Sequence, residues 1–153
     1  MSWETALQYG LPPLMGVAGY GARMLHEWRD VAKKTRAVRR HWKTEVLSAE
    51  RVLTRVANMT KDDWSLHLFC GELLRGPSQR LDRLRPDLSL VGDLDIEEDL
   101  DEISAFCAAW SKVLTTVGEA GREEPDKPVR GRAETKEMCS EAAKLAKKTA
   151  ARL

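Results

Sequence analysis

The sequence predicts an all-α protein: a long N-terminal basic helix, shorter antiparallel helices packed on its second half, and a tethered C-terminal helix. Charged residues make up 32% of the 153 residues, whereas strand-forming residues are sparse. Apolar residues recur at intervals of three and four, which is the period of a helix that packs lengthwise on others. A chain of this length can bury a core as one domain.

The first segment is uncharged from Thr5 to Ala22, and a strongly basic stretch follows it. This order is typical of a single transmembrane span with its positive flank in the cytoplasm. Pro12, Pro13 and four glycines make the segment a poor helix former, so an apolar arm buried in a protein assembly is the alternative. The side chains expected to insert into membrane or partner are Trp3, Leu7, Leu11, Leu14, Met15, Val17 and Tyr20.

The long helix is predicted from Arg23 to Met59, because that stretch contains neither glycine nor proline. An apolar stripe, interrupted where Glu45 falls in register, should face other helices. We therefore expect Trp28 and Trp42 to be core residues. The stripe consists of Trp28, Val31, Thr35, Val38, Trp42, Ala49, Val52, Val56 and Met59.

The other faces of this helix carry the residues that we predict to bind an anionic surface: Arg29, Lys33, Lys34, Arg36, Arg39, Arg40 and Lys43. Three partners are open at this point. The cations can meet anionic lipid or nucleic acid. They can also be neutralised within the protein by the acidic segment 93–102, since residues 23–60 carry a net charge of +6 and residues 93–118 one of −6.

Two further helices are expected before the linker. Thr60 is a plausible N-cap for the first, which should end at Gly76-Pro77, because proline disfavours helical geometry in the residue before it. The stretch 78–85 has room for two more turns, and 88–91 is expected to be loop. Asp93 to Val117 predicts the next helix, with Gly118 as its C-terminal cap.

Glycine, proline and alternating charges predict a flexible linker over residues 119–132. The helix that follows has a thin, alanine-rich apolar stripe interrupted by Thr149, so it should dock weakly or become ordered only with a partner. The expected divisions of the chain are 1–22 (apolar anchor or arm), 23–118 (helical domain), 119–132 (linker) and 133–153 (C-terminal amphipathic helix).

No catalytic constellation emerges from the sequence, and we expect neither an enzyme nor a cofactor. His67 and Cys70 have the spacing of half a zinc site, but the other half would have to come from scattered positions, so we predict no metal. The three cysteines, an odd number without tight spacing, favour a reducing compartment.

The function expected from these features is a non-enzymatic, membrane-associated helical scaffold or assembly component with its helical domain on the cytoplasmic side. The alternative is a soluble, cytoplasmic, all-helical subunit that contacts nucleic acid through the basic face of the long helix. In either case we expect an oligomer or a subunit of a larger complex, joined through the N-terminal segment.

Overall fold

A computed structural model describes the backbone of residues 3–59, 63–124 and 131–153, and the side chains of these ranges apart from 3–19 and 132. Within these ranges the chain is helical and contains no strand, which confirms the all-α class. It divides into two structural units, residues 1–37 and residues 38–153. The second unit is called the bundle below.

The first helix, α1, runs from Trp3 to Ala57. It begins twenty residues earlier than predicted, because the uncharged Gly/Pro segment is helical as well. In the bundle, its buried side chains are spaced by four, three, four and three residues, and Val46 and Leu53 replace Glu45 and Val52 in the expected stripe. Ala49 and Val56 are buried as expected, so the stripe differs by one residue only at positions 45 and 52. Its buried members are Trp42, Val46, Ala49, Leu53 and Val56, and Ala57 is buried beside them.

The second helix, α2, runs from Trp64 to Leu84 and passes through Gly76-Pro77, so the predicted stop is wrong. An interior proline costs a helix about 3 kcal/mol. Here Pro77 is itself buried, and the turns beyond it bury Leu81 and Leu84. Burial of a leucine contributes about 1.5–3 kcal/mol, so the continued helix offsets that cost. Asp63 caps the helix by accepting from Ser65 N, whereas the predicted cap, Thr60, lies outside the described residues.

The third helix, α3, extends from Leu94 to Glu123, with Asp93 as its N-cap. Gly118 is an interior residue and not a cap: a Cβ there would lie 2.6 Å from Leu68 Cγ of α2. Gly71 of α2 is equally close to Thr115 of α3, at 2.5 Å from its Oγ1. These glycines let two helices approach where larger residues would hold them apart.

The predicted linker is helical at its beginning, because α3 includes residues 119–123. Its residues 125–130 lie outside the described residues. Between α2 and α3, the expected loop at 88–91 is mostly a 3₁₀ turn, Arg85–Leu90, and Val91 after it is fully buried. The 3₁₀ turn itself has no buried residue, and the chain enters the core again at Val91.

The fourth helix, α4, runs from Arg132 to Arg152 and packs on α3. Its buried face is formed by small residues: Cys139, Ala142, Ala143, Ala146 and Ala150. Thr149 belongs to that face, since its hydroxyl donates to Asp99 Oδ2 at 3.1 Å and to the Leu145 carbonyl at 2.9 Å. These hydrogen bonds satisfy the group that interrupted the apolar pattern, so the helix docks within its own chain.

Contacts at both ends of the helices define the topology of the bundle. Glu45 of α1 pairs with Arg80 of α2 near one end, and Met59, two residues after the end of α1, meets Cys70 of α2 near the other. Leu68 and Gly118 are neighbours across α2 and α3, as are Arg85 and Asp101. Sequential helices are therefore antiparallel, and the second half of α1 packs with α2, α3 and α4 around one core.

Candidate anionic-surface site

In the first unit, residues 20–37 of α1 expose large apolar side chains. Trp28 is 78% exposed and Val31 is 61% exposed, so the expectation that they belong to the core is wrong. By contrast, Trp42 in the bundle is 1% exposed, as predicted. The three-and-four spacing identified a helix face correctly, but it gave no information on whether that face has a partner. The exposed members of this set are Tyr20, Met24, Leu25, Trp28 and Val31.

The same segment carries five cationic residues and two carboxylates. Its ion pairs run along the helix surface: Arg23 with Glu27 at 3.1 Å, and Asp30 with His26 at 3.1 Å and with Lys33 at 4.0 Å. Exposed pairs of this kind contribute little to stability. Within residues 20–37, the described side chains leave Arg29, Lys34 and Arg36 exposed and without a carboxylate partner.

The apolar and cationic side chains of this segment occupy different sides of the helix. Successive residues are about 100° apart, which places Tyr20, Met24, Trp28 and Val31 within an arc of about 80°. On the Trp28 side Leu25 lies about 60° beyond this arc, and Arg36 and Arg29 lie about 80° and 100° beyond it. On the other side Lys34 lies about 40° beyond Tyr20. We call residues 20–37 the amphipathic segment. An apolar face bordered by cations, on a helix of low overall hydrophobicity, is typical of a helix that lies in a membrane interface.

The remaining predicted cations, Arg39, Arg40 and Lys43, belong to the bundle. Arg39 donates from Nε and Nη2 to the carbonyl oxygen of Val91, at 2.9 and 2.7 Å. Its donors are therefore used inside the protein. Arg40 is exposed and Lys43 half-buried, and no described carboxylate of the bundle pairs with either.

The acidic segment 93–102 is paired with other cations of the bundle. Arg152 of α4 pairs with Asp93, Asp95 and Asp99, at 3.6, 3.7 and 3.2 Å. Arg85 pairs with Asp101 through Nε at 3.1 Å and through a still shorter Nη2 contact, and this hydrogen bond raises the pKa of the guanidinium. These carboxylates tie α3 to α4 and to the end of α2, so this part of the acidic block serves the bundle itself.

All three cysteines are buried in the bundle. Burial raises the pKa of Cys107 to about 12 and, together with the neighbouring thiols of Cys107 and Cys70, that of Cys139 to about 12. The described residues contain no group of three or more His, Cys, Asp or Glu side chains able to hold a metal ion.

The predicted insertion residues of the N-terminal segment lie, apart from Tyr20, among the residues whose side chains are not described. Within the described part of the chain, no helix has a run long and apolar enough to cross a membrane. Tyr20 is exposed and begins the apolar face of the amphipathic segment.

Comparisons with protein families, with curated proteins and with solved structures found no match for this chain.

Proposed function

We propose that this protein is a non-enzymatic, membrane-associated scaffold whose amphipathic segment lies in the interface of an anionic membrane. Its bundle is then held at the cytoplasmic face, available as an assembly component. The observation that carries the proposal is the exposure of Met24, Trp28 and Val31 on one helix face, while Arg29 and Arg36, exposed on the cationic side of the helix, have no carboxylate partner among the described residues.

The energetics of a membrane surface suit both halves of this face. Apolar side chains gain about 25 cal/mol for each Å² that they remove from water. A cation close to an anionic bilayer contributes about 1 kcal/mol. Trp28 adds an indole, whose apolar body and N–H group suit the boundary between acyl chains and head groups.

Nucleic acid is the second candidate, and one observation favours it. Trp28 is exposed beside Arg29, so the indole is accessible to a base that stacks on it. Met24, Leu25 and Val31 would have no comparable role on a phosphate backbone, which supports the lipid surface as the first choice.

Vesicle sedimentation tests the proposal with the full-length chain. Vesicles of phosphatidylserine and phosphatidylcholine should retain the protein, and vesicles of phosphatidylcholine alone should retain far less. Replacing Arg29 and Arg36 by Gln removes two cations at about 1 kcal/mol each, so the affinity should fall about 30-fold. The double variant Lys147→Gln/Lys148→Gln makes the same charge change on the exposed surface of α4 and should leave the affinity unchanged.

The apolar face has its own control. Trp28→Ser should weaken binding to the anionic vesicles, whereas Leu94→Ser, at an 80% exposed leucine of the bundle, should not. Equal losses for the two variants would mean that general surface hydrophobicity drives the binding. Tight, salt-sensitive binding to DNA without vesicle binding would replace the proposal by the nucleic-acid alternative.

A further inference from the structure

A small cavity in the bundle brings together three side chains that bind soft metal ions. It has a volume of about 20 Å³, and its wall contains the apolar side chains of Val56, Leu66 and Leu114 together with Thr135 and Lys136. The three potential metal ligands on the same wall are Met59, His67 and Cys70. A space of this size holds one water molecule or one ion.

Two of the donor atoms are already in contact. Cys70 Sγ of α2 lies 3.1 Å from Sδ of Met59, which follows the end of α1. His67 precedes Cys70 by three residues on α2, so the two occupy neighbouring positions on one helix face. Both residues are 5% exposed. Met59 is eleven residues from Cys70 and lies outside α2. The spacing of residues on α2 therefore does not predict that Met59 lies near this pair.

A hydrogen bond of the His67 imidazole determines which of its nitrogens can bind a metal ion. Its Nδ1 lies 3.0 Å from the carbonyl oxygen of Asp63. Because a carbonyl only accepts hydrogen bonds, Nδ1 carries a proton, and Nε2 is therefore the ring nitrogen whose lone pair can bind a metal ion. Metal-binding histidines commonly have this second hydrogen bond to a backbone carbonyl.

From this geometry we propose that Met59, His67 and Cys70 form a binding site for one soft monovalent metal ion of the copper(I) class. Thiolate and thioether sulfurs select such ions, and imidazole is compatible with them. The Cys70 thiol releases its proton to solvent when its sulfur bonds to the metal. The thiolate then balances the single positive charge of the ion, whereas a divalent ion would add an uncompensated positive charge to a cavity that Lys136 also lines.

The site must open slightly to bind. Two sulfurs that share one ion at metal–sulfur distances of about 2.3 Å are roughly 4 Å apart in trigonal geometry. The side chain of Met59 can supply this movement, because it is unbranched and adopts several rotamers at low cost.

Anaerobic competition with a chromophoric copper(I) chelator tests the site in the reduced, full-length protein. One equivalent of copper(I) should be withdrawn from the chelator. Cys70→Ser should abolish this binding. Met59→Leu should weaken it at least about tenfold, because even the loss of a residue that only supports a metal ligand costs about that much. Cys139→Ser and Met138→Leu are the matched controls, since neither residue is part of this cavity wall, and both should retain binding.

Binding by wild type that is no tighter than that by Cys70→Ser would overturn the proposal, as would an equal loss in Cys139→Ser. If Cys70→Ser does not fold, X-ray absorption spectroscopy of the copper-loaded wild-type protein tests the proposal by identifying the atoms bound to copper. Two sulfur ligands and one nitrogen ligand are expected, and any other set contradicts the assignment.

Discussion

Arg39 and Val91 are fifty-two residues apart, yet two nitrogens of the Arg39 guanidinium donate to the Val91 carbonyl oxygen at 2.9 and 2.7 Å. Val91 is fully buried, just after the 3₁₀ turn that joins α2 to α3. The arginine thus satisfies a backbone acceptor at a point where the chain leaves regular structure. One member of the basic surface predicted for α1 is a structural residue of the bundle.

Replacing Arg39 by Ala should destabilise the bundle and leave vesicle binding unchanged. Hydrogen bonds from a charged group contribute about 1.5–3 kcal/mol, and the change leaves the Val91 carbonyl without this donor. Urea denaturation should show a decrease of that size in the free energy of unfolding. Arg40→Ala, at an exposed position, should stay within about 0.5 kcal/mol of wild type. An unchanged stability in Arg39→Ala would refute the structural role.

The crossing of α2 and α3 should not tolerate a methyl group at either of its glycines. In Gly118→Ala the new Cβ would lie 2.7 Å from the backbone N of Leu68, and in Gly71→Ala 2.9 Å from that of Thr115. Backbone atoms cannot rotate away, so we expect each variant to lose about 1–3 kcal/mol in spite of a better helix propensity.

Gly76→Ala is the matched control for the two glycine variants. Its Cβ meets nothing nearer than the Arg80 Nη1 at 3.4 Å. The gain in helix propensity opposes the strain of a side chain before Pro77, so the net change should be below about 1 kcal/mol. Thermal melting followed by circular dichroism measures all three. Equal melting temperatures for Gly118→Ala and Gly76→Ala would show that α2 and α3 are not in close contact there.

The buried thiols predict a loss of stability at alkaline pH. Burial raises the pKa of Cys107 from 9.0 to about 12, so between these values the unfolded chain releases a proton that the native state retains. The contribution of this thiol to the free energy of unfolding is complete below pH 9.0. It decreases as the pH rises towards about 12, by at most about 1.4 kcal/mol per pH unit.

Cys107→Ala removes that titration. The stability of the variant should therefore fall less steeply with pH than that of wild type above pH 9.0, whatever its stability at neutral pH. Denaturant titrations at a series of alkaline pH values provide the two slopes. Parallel slopes would mean that the thiol is accessible to solvent in the folded protein.

Most of the architecture could be predicted from sequence patterns within single helices. The all-α class, the start of α3 next to Asp93 and the burial of Trp42 follow from composition and periodicity. The wrong predictions concern residues whose structure depends on contacts with residues distant in the sequence. Pro77 remains helical because burial offsets its cost, and Gly118 lies opposite Leu68, a relationship that no spacing within α3 indicates.

The candidate surface was predictable only in part. The cations of α1 are evident in the sequence, but the use of Arg39 by Val91 depends on a contact across the bundle. Trp28 and Trp42 share one periodic stripe, and only the neighbours that bury Trp42 distinguish a core position from an exposed one. Likewise, Met59, which follows the end of α1, joins His67 and Cys70 through a contact with α2 that no spacing within α2 indicates.

The depth of Trp28 in a bilayer tests the central claim most directly. Full-length protein is bound to anionic vesicles that contain lipids brominated along their acyl chains, and tryptophan fluorescence is compared with that of Trp28→Phe, which isolates the contribution of this indole. We expect the Trp28 component to shift to shorter wavelength and to be quenched by bromines near the head groups. A Trp28 component that stays at the wavelength of a solvent-exposed indole, without quenching, would contradict the proposal that the amphipathic segment enters the membrane interface.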